Sequence, residues 1–269
     1  MNITTPAVST IKSGGSRFYL NPADDRKLPG VTSVLDMIPK HSFLKPWAAK
    51  MVAEFAVDNA SDWIGLVMKG ERVAAVDLLK RAPFRFTDNA ADTGTGAHDL
   101  FERMAAGDVL SKSDVRPELL PYVRHFREFL DVWTPDFLFL ERTVWSETHG
   151  YAGTFDTIFS VIMDGEKFTA MGDWKTTRSG VHEEVALQLT AYANADYILG
   201  ADGEQTPIPK VDGGAVLHVR PEGWKLVPAA INDDTMRTFL ALKEVWEWET
   251  NTKRMAIGRP IQRTKETPA

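Results

Sequence analysis

Four polar side chains interrupt an otherwise strand- and helix-like stretch between residues 150 and 192: Asp156, Asp173, Lys175 and Gln188. Asp173 and Lys175 are two residues apart in a run that reads as a strand, Glu166–Lys175. Both therefore leave one face, and Trp174 leaves the other. The hairpin pair Asp164-Gly165 joins that run to a preceding one, Tyr151–Met163, which is rich in β-branched and aromatic residues. Pairing about this turn puts Asp156 on the neighbouring strand, within approach of Asp173. Two converging carboxylates repel unless a cation lies between them, and hard oxygen ligands suit Mg²⁺ or Mn²⁺. A lysine beside such an ion is a poor ligand. Its chemistry there is to orient or deprotonate a water, or to offset charge on a phosphoryl oxygen.

The elements that must position these groups are legible around them. A helix is expected over about Val181–Leu199, with Val185, Leu189 and Tyr192 near one face and Gly200 as its stop. It sets Gln188 and Tyr192 one turn apart. Asp136–Glu147 reads as a strand whose apolar run is broken by Glu141 and Arg142. Asp88–Ala106 reads as a helix from about Thr93, polar and glycine-rich in its first turns and so able to approach an anion there. His98, Phe101, Glu102 and Ala105 share a side of it. Arg116–Trp133 is an amphipathic helix. Ala215–Arg220 and Trp224–Pro228 form a hairpin, and Asp233–Thr250 is a closing helix. Towards the N-terminus, Met1–Ser16 reads as a polar tail and Arg17–Leu20 as a short strand. A loop follows over Asn21–Gly30, then a short element at Val31–Met37 and helices over Phe43–Ala56, Ser61–Val67 and Glu71–Lys80.

The ordered set Gly153-Thr154-Phe155-Asp156, Asp173-Trp174-Lys175 and Gln188-x-x-x-Tyr192 resembles the G-x-x-D, (D/E)-x-K and Q-x-x-x-Y motifs of the PD-(D/E)xK nuclease superfamily. The match is closest to its RecB-like exonuclease branch, including phage members, and covers about Thr93 to Tyr192. Gly94 or Gly96 before His98 resembles that branch's N-terminal histidine motif. The resemblance implies an α/β, restriction-endonuclease-like core: a central mixed sheet flanked by helices, with an N-terminal helical elaboration. It implies one nuclease domain over 17–250, with 17–87 mostly helical, 88–250 catalytic, and tails at 1–16 and 251–269. It further implies Mg²⁺- or Mn²⁺-dependent hydrolysis of DNA phosphodiesters. Asp156, Asp173, His98 and the backbone carbonyl of Trp174 would hold metal, with Glu141 near a second ion, the attacking water or His98. Lys175 would position the nucleophile, Gln188 would hold Lys175 or the water, and Tyr192 and Arg178 would touch a phosphate or nucleotide. The implied partners are DNA and a recombination or single-strand-binding protein.

Each residue also has a plainer reading. Asp173 and Lys175 fit a surface ion pair on an edge strand, Tyr192 a core tyrosine with a wet hydroxyl, and Glu141 a solvated edge-strand glutamate. The doublet His98-Asp99 also fits an HD-type phosphohydrolase. Its further histidines would come from His41, His125, His149, His182 and His218, in a nearly all-helical fold. A nuclease-like module that binds DNA or protein without cutting is a third class.

Composition sets the bounds. The 269 residues are 43% hydrophobic and 25% charged, ordinary for a globular chain with ample length for a core. The absence of cysteine excludes disulfides, thiolate metal sites and the four-cysteine iron–sulfur cluster of some RecB-like nucleases. No apolar run is long enough to span a bilayer and no signal peptide is evident, so a cytoplasmic location, that of a bacterial host for a phage protein, is expected. The net charge of −6 is not that of a protein that coats nucleic acid; bound cations would have to offset the site's carboxylates locally.

Overall fold

The computed structural model describes residues 8–39 and 41–260. In chain order, three short strands open it: β1 (Thr10–Ser13), β2 (Ser16–Leu20) and β3 (Lys27–Pro29). Five helices follow: α1 (Val31–Leu35), α2 (His41–Asp58), α3 (Ala60–Met68), α4 (Arg72–Lys80) and α5 (Ala82–Ala105). Next come α6 (Leu120–Trp133) and the strands β4 (Asp136–Ser146), β5 (Tyr151–Met163) and β6 (Glu166–Lys175). The chain continues through α7 (Glu184–Ala193), β7 (Tyr197–Leu199), β8 (Gln205–Thr206), β9 (Gly213–Arg220), β10 (Gly223–Ala229) and α8 (Asp233–Glu247). The class is α/β, as expected. A mixed seven-stranded sheet in the order β10-β9-β6-β5-β4-β7-β8 is flanked by helices, with an N-terminal helical region beside it. Among the described strands of this sheet, only β6 and β9 pair in parallel.

The β5–β6 hairpin forms at the expected residues. Met163 pairs with Glu166 across Asp164 and Gly165, whose φ angles of 52° and 85° are those of the tight turn that Asp-Gly favours. Strand alternation then separates two cores. On one face, Phe101 of α5 and Phe126 and Phe129 of α6 pack on Phe159, Trp174 and Leu217. Phe101 stacks on Phe126 at 4.4 Å, and Trp174 meets both rings edge-on. On the other face, Val34, Leu189 and Phe239 cover Tyr151, Met171 and Val216. Each such fully buried side chain is worth roughly 1.5–3 kcal/mol of burial.

Three expected elements are corrected. Within the expected tail, Thr10–Ser13 is a strand that pairs with β2, and Val8 is buried beside Tyr19 and Trp145. The tail's residues 1–7 lie outside the described residues, as do 261–269 of the C-terminal one. The helix expected from Thr93 begins at Ala82, so Gly94 and Gly96 are mid-helix and offer no free N–H groups to an anion. Gly96 serves close packing: a Cβ there would meet the Arg116 guanidinium at 2.6 Å and Leu119 at 3.0 Å. The helix expected over Val181–Leu199 ends at Ala193, because Tyr197–Leu199 pairs with Thr143–Trp145 of β4. Backbone pairing there prevails over helical periodicity.

Candidate active site

The site is built where β5 and β6 part. Their ladder ends at the Thr157–Gly172 pair. Just beyond it, the Asp156 carboxylate accepts the Trp174 N–H at 2.7 Å, taking the place of the next cross-strand hydrogen bond. In an extended strand the N–H and C=O of one residue leave on the same edge, so the Trp174 carbonyl faces this opening too. β6 continues against β9 (Asp173 opposite Val216, Lys175 opposite His218), which holds both polar residues in extended geometry.

Asp173 is only 3% exposed. Lys175 Nζ lies 2.7 Å from its Oδ1 and 2.6 Å from its Oδ2. The directed hydrogen bonds, from Lys175 and from Gln188 Nε2 at 3.1 Å, both fall on Oδ1. Oδ2 has only the proximity of the ammonium and no hydrogen bond of its own. Burial pushes the Asp173 carboxyl up to about 6 against the opposing pull of Lys175. Burial also works against the Lys175 ammonium, but the charges of Asp173 and Asp156 outweigh it and raise its pKa. Lys175 is therefore a cation here rather than a base. Because β6 lies inside the sheet, the plainer reading of a surface edge-strand pair is excluded.

Glu141 is the strained member. It sits in mid-strand on β4 with φ of 45°, a left-handed conformation that a non-glycine residue adopts at a cost of roughly 1–3 kcal/mol. Leu140 pairs with Thr157 and Arg142 with Phe155, so Glu141 stands across from Asp156. Burial, followed by the charges of Asp156, Glu102 and Asp99, pushes its carboxyl up to about 8. It is not a solvated edge glutamate. Glu102, one turn beyond His98 on α5, is shifted upwards as well, chiefly by burial and by Asp99. His98 brings Nδ1 to 3.7 Å from Asp156 Oδ2 while its ring packs against Phe101 and Trp174.

α7 supplies Gln188 and Tyr192, and here two expected roles change. Gln188 braces Asp173 rather than Lys175. The Tyr192 ring is 2% exposed, and its hydroxyl accepts from Gln188 at 3.3 Å. Tyr192 is therefore a positioning residue more than a phosphate contact. Its ring passes so close to β5 that a Cβ on Gly153 would stand 2.4 Å from Cε1. That close approach is the physical demand behind the glycine of Gly153-Thr154-Phe155-Asp156.

A cleft of about 470 Å³ joins these groups. Asp156, Asp173, Lys175, Gln188, Tyr192 and Glu141 all line it. Arg178 does not line it: it is exposed in the loop after β6. The cation at the rim is Arg17, which with Tyr19 and Thr10 reaches the cleft from the N-terminal strands. Arg17 and Tyr19 sit at i and i+2 of a recognised strand, a same-face spacing that could have pointed to them.

The donor set fits a hard divalent cation in kind: the Asp156 and Asp173 carboxylate oxygens and the Trp174 carbonyl. The fit is not preassembled. Among the described residues, His98, Asp156 and Asp173 do not bring one ligand atom each within 4.8 Å of one another. His182, Glu183 and Glu184 do, on the surface. Lys175 occupies both Asp173 oxygens and would have to yield Oδ2 to a metal. The HD-type alternative fails on architecture, since the site is built on a sheet. His125 bonds Glu128, His182 approaches Ser179, and His218 bonds the Thr177 carbonyl, each apart from His98. The side chain of His41 lies outside the described residues.

No protein-family model and no curated protein matches this chain. Among the described residues, no helix is long and apolar enough to cross a membrane.

Proposed function

We propose that the chain is a metal-dependent nuclease of PD-(D/E)xK type that hydrolyses phosphodiester bonds in DNA. The observation that carries this reading is Asp173. It is a buried carboxylate whose two oxygens are both held by the Lys175 ammonium, with Gln188 on Oδ1, beside Asp156 in the wall of an open cleft. Burying such a group is costly, and here the cost is offset by an ammonium and an amide that themselves line the cleft. Strain at Glu141 beside it is the further mark of a working site.

In this reading Asp156, Asp173 and the Trp174 carbonyl would hold Mg²⁺ or Mn²⁺, with His98 beside them. Such an ion would lower the pKa of a coordinated water and offset charge gathering at phosphorus. The chain's own groups do the rest. The Lys175 ammonium faces the attacking water and the phosphoryl oxygen. Gln188 holds Asp173 in register. Glu141, whose carboxyl burial pushes up to about 8, is placed across from Asp156 to take up or return a proton within the cleft. Arg17 at the rim contacts the substrate backbone, a sequence-independent contact. Action from strand ends follows from the resemblance to RecB-like exonucleases, as does a recombination or single-strand-binding protein as partner.

The test is incubation of end-labelled linear and closed-circular DNA, single- and double-stranded, with Mg²⁺, Mn²⁺ or EDTA. Metal-dependent loss of linear DNA alone is expected. Cutting of circles would keep the nuclease and remove the exonuclease. No loss of any DNA in either metal would overturn the reading in favour of a non-cleaving module.

A further inference from the structure

The helical projection made by α2, α3, α4 and the first half of α5 has almost no interior. α3 buries none of its residues, and α4 buries only Ala75. These helices pack on one another and on α5, while none of α2, α3 and α4 packs substantially on the seven-stranded sheet. α3 and α4 are nine residues each, well below the length at which a helix holds by its own propensity.

The face they present is aliphatic. On α3, Ile64, Val67 and Met68 fall at i, i+3 and i+4, one continuous stripe, with Met68 83% exposed. On α4, Val73 and Val76 make a second stripe, 77% and 50% exposed, and Val57 at the end of α2 is 78% exposed. Ten large apolar side chains of segment 41–92 are exposed in this way. At roughly 60–120 Å² for each when fully buried, and a little over half of that exposed, they offer on the order of 350–700 Å². That is about half or more of the roughly 800 Å² one partner brings to a stable interface.

Charge decides the occupant. Segment 41–92 holds seven Lys and Arg against seven Asp and Glu, so its formal charge is zero in a chain of net −6. Two copies of an acidic chain repel over most of their surfaces, and this neutral segment is where they can meet. A nucleic acid would call for excess positive charge, which this segment lacks, and the stripes on α3 and α4 carry aliphatic side chains rather than rings that stack; the exposed Phe43, Phe84 and Phe86 belong to α2 and α5. We propose that a second copy of the chain covers this face, α3 and α4 packing on their counterparts about a two-fold axis, as closed symmetric dimers do.

The measurement is the solution mass of the full chain by sedimentation equilibrium, for the unaltered protein and for Met68→Glu and Val73→Glu. The unaltered chain is expected at twice 30.0 kDa. Each variant is expected at the single-chain mass, with its far-ultraviolet circular dichroism retained. Amide exchange on the unaltered chain needs no variant: protection of α3 and α4 is expected to rise with protein concentration. A single-chain mass at every concentration, a dimer that survives both substitutions, or protection that does not change with concentration would overturn the proposal. So would a single chain whose Met68→Glu form loses affinity for DNA or for another protein, which would assign the face to that partner. None of these readouts depends on cleavage, so they stand apart from the nuclease reading.

Discussion

At the scale of single residues, the site is governed by carboxylates that folding holds away from water. Glu141 shows this most clearly, because burial and four neighbouring acids push its carboxyl up to about 8. A carboxyl whose folded pKa lies above its unfolded one stabilises the fold fully below the unfolded value, and that contribution is lost as pH rises through the folded value. For Glu141 the window runs from about 4.5 to about 8. Thermal unfolding in EDTA should therefore show stability falling across that range. Glu141→Gln should flatten the slope and melt roughly 4–8 °C above the unaltered chain at pH 8.5, equivalent to about 2 kcal/mol after discounting for relaxation and screening. Equal melting temperatures at pH 8.5 would show that Glu141 reaches solvent. Asp156, Asp173 and Lys175 were legible in the sequence because strand alternation fixes which of them share an edge. The strain at Glu141 was not, because nothing in the residue type signals a left-handed φ.

At the scale of elements, α7 against β5 is the contact that sets the site. Gly153 exists to let the Tyr192 ring pass, and Tyr192 in turn supports Gln188, which supports Asp173. Gly153→Ala inserts a methyl group at 2.4 Å from that ring. It should cost about 1–3 kcal/mol of stability and, if the cleft hydrolyses DNA as proposed, lower kcat more than it raises KM, because Asp173 shifts while the cleft rim at Arg17 stays. Tyr192→Phe keeps the ring and removes only an acceptor, so it should lose less than about ten-fold in rate and about 1 kcal/mol or less in stability. If Tyr192→Phe were the worse of the two, Tyr192 would be a substrate contact after all. The β5–β6 hairpin and α7's inner face were readable because period-2 and period-3.6 patterns are strong there. The end of α7 and the start of α5 were not. A pairing with β4 cuts the first short, and the second runs on through Gly96, where α5 packs closely on Arg116 and Leu119.

At the scale of the whole molecule, the two-faced α/β sheet followed from runs of strand and helix in the right order. Among the N-terminal strands β2 was read at Arg17–Leu20, while β1, within the expected tail, and β3, within the expected loop, were the main omission. With a single apolar residue, Ile11, Thr10–Ser13 carries no hydrophobic pattern and is a strand because β2 is there to pair with. It was also from these strands that Arg17, Tyr19 and Thr10 reached the cleft. If the assembled cleft holds a divalent ion, Mg²⁺ or Mn²⁺ at about 100 times its Kd should add roughly 2.7 kcal/mol to stability, or about 5–10 °C in Tm. Asp173→Asn should abolish that gain. A gain that survives Asp173→Asn but disappears in His182→Ala would move the ion to the surface group of His182, Glu183 and Glu184.

The most direct measurement is the rate of hydrolysis of linear duplex DNA in Mg²⁺ by the unaltered chain beside Lys175→Ala and Asp173→Asn, all three confirmed folded. At least a hundred-fold loss in both variants is expected, in line with removal of a charged group that stabilises the transition state. Cleavage by either variant at the unaltered rate would contradict an active site at Asp173 and Lys175.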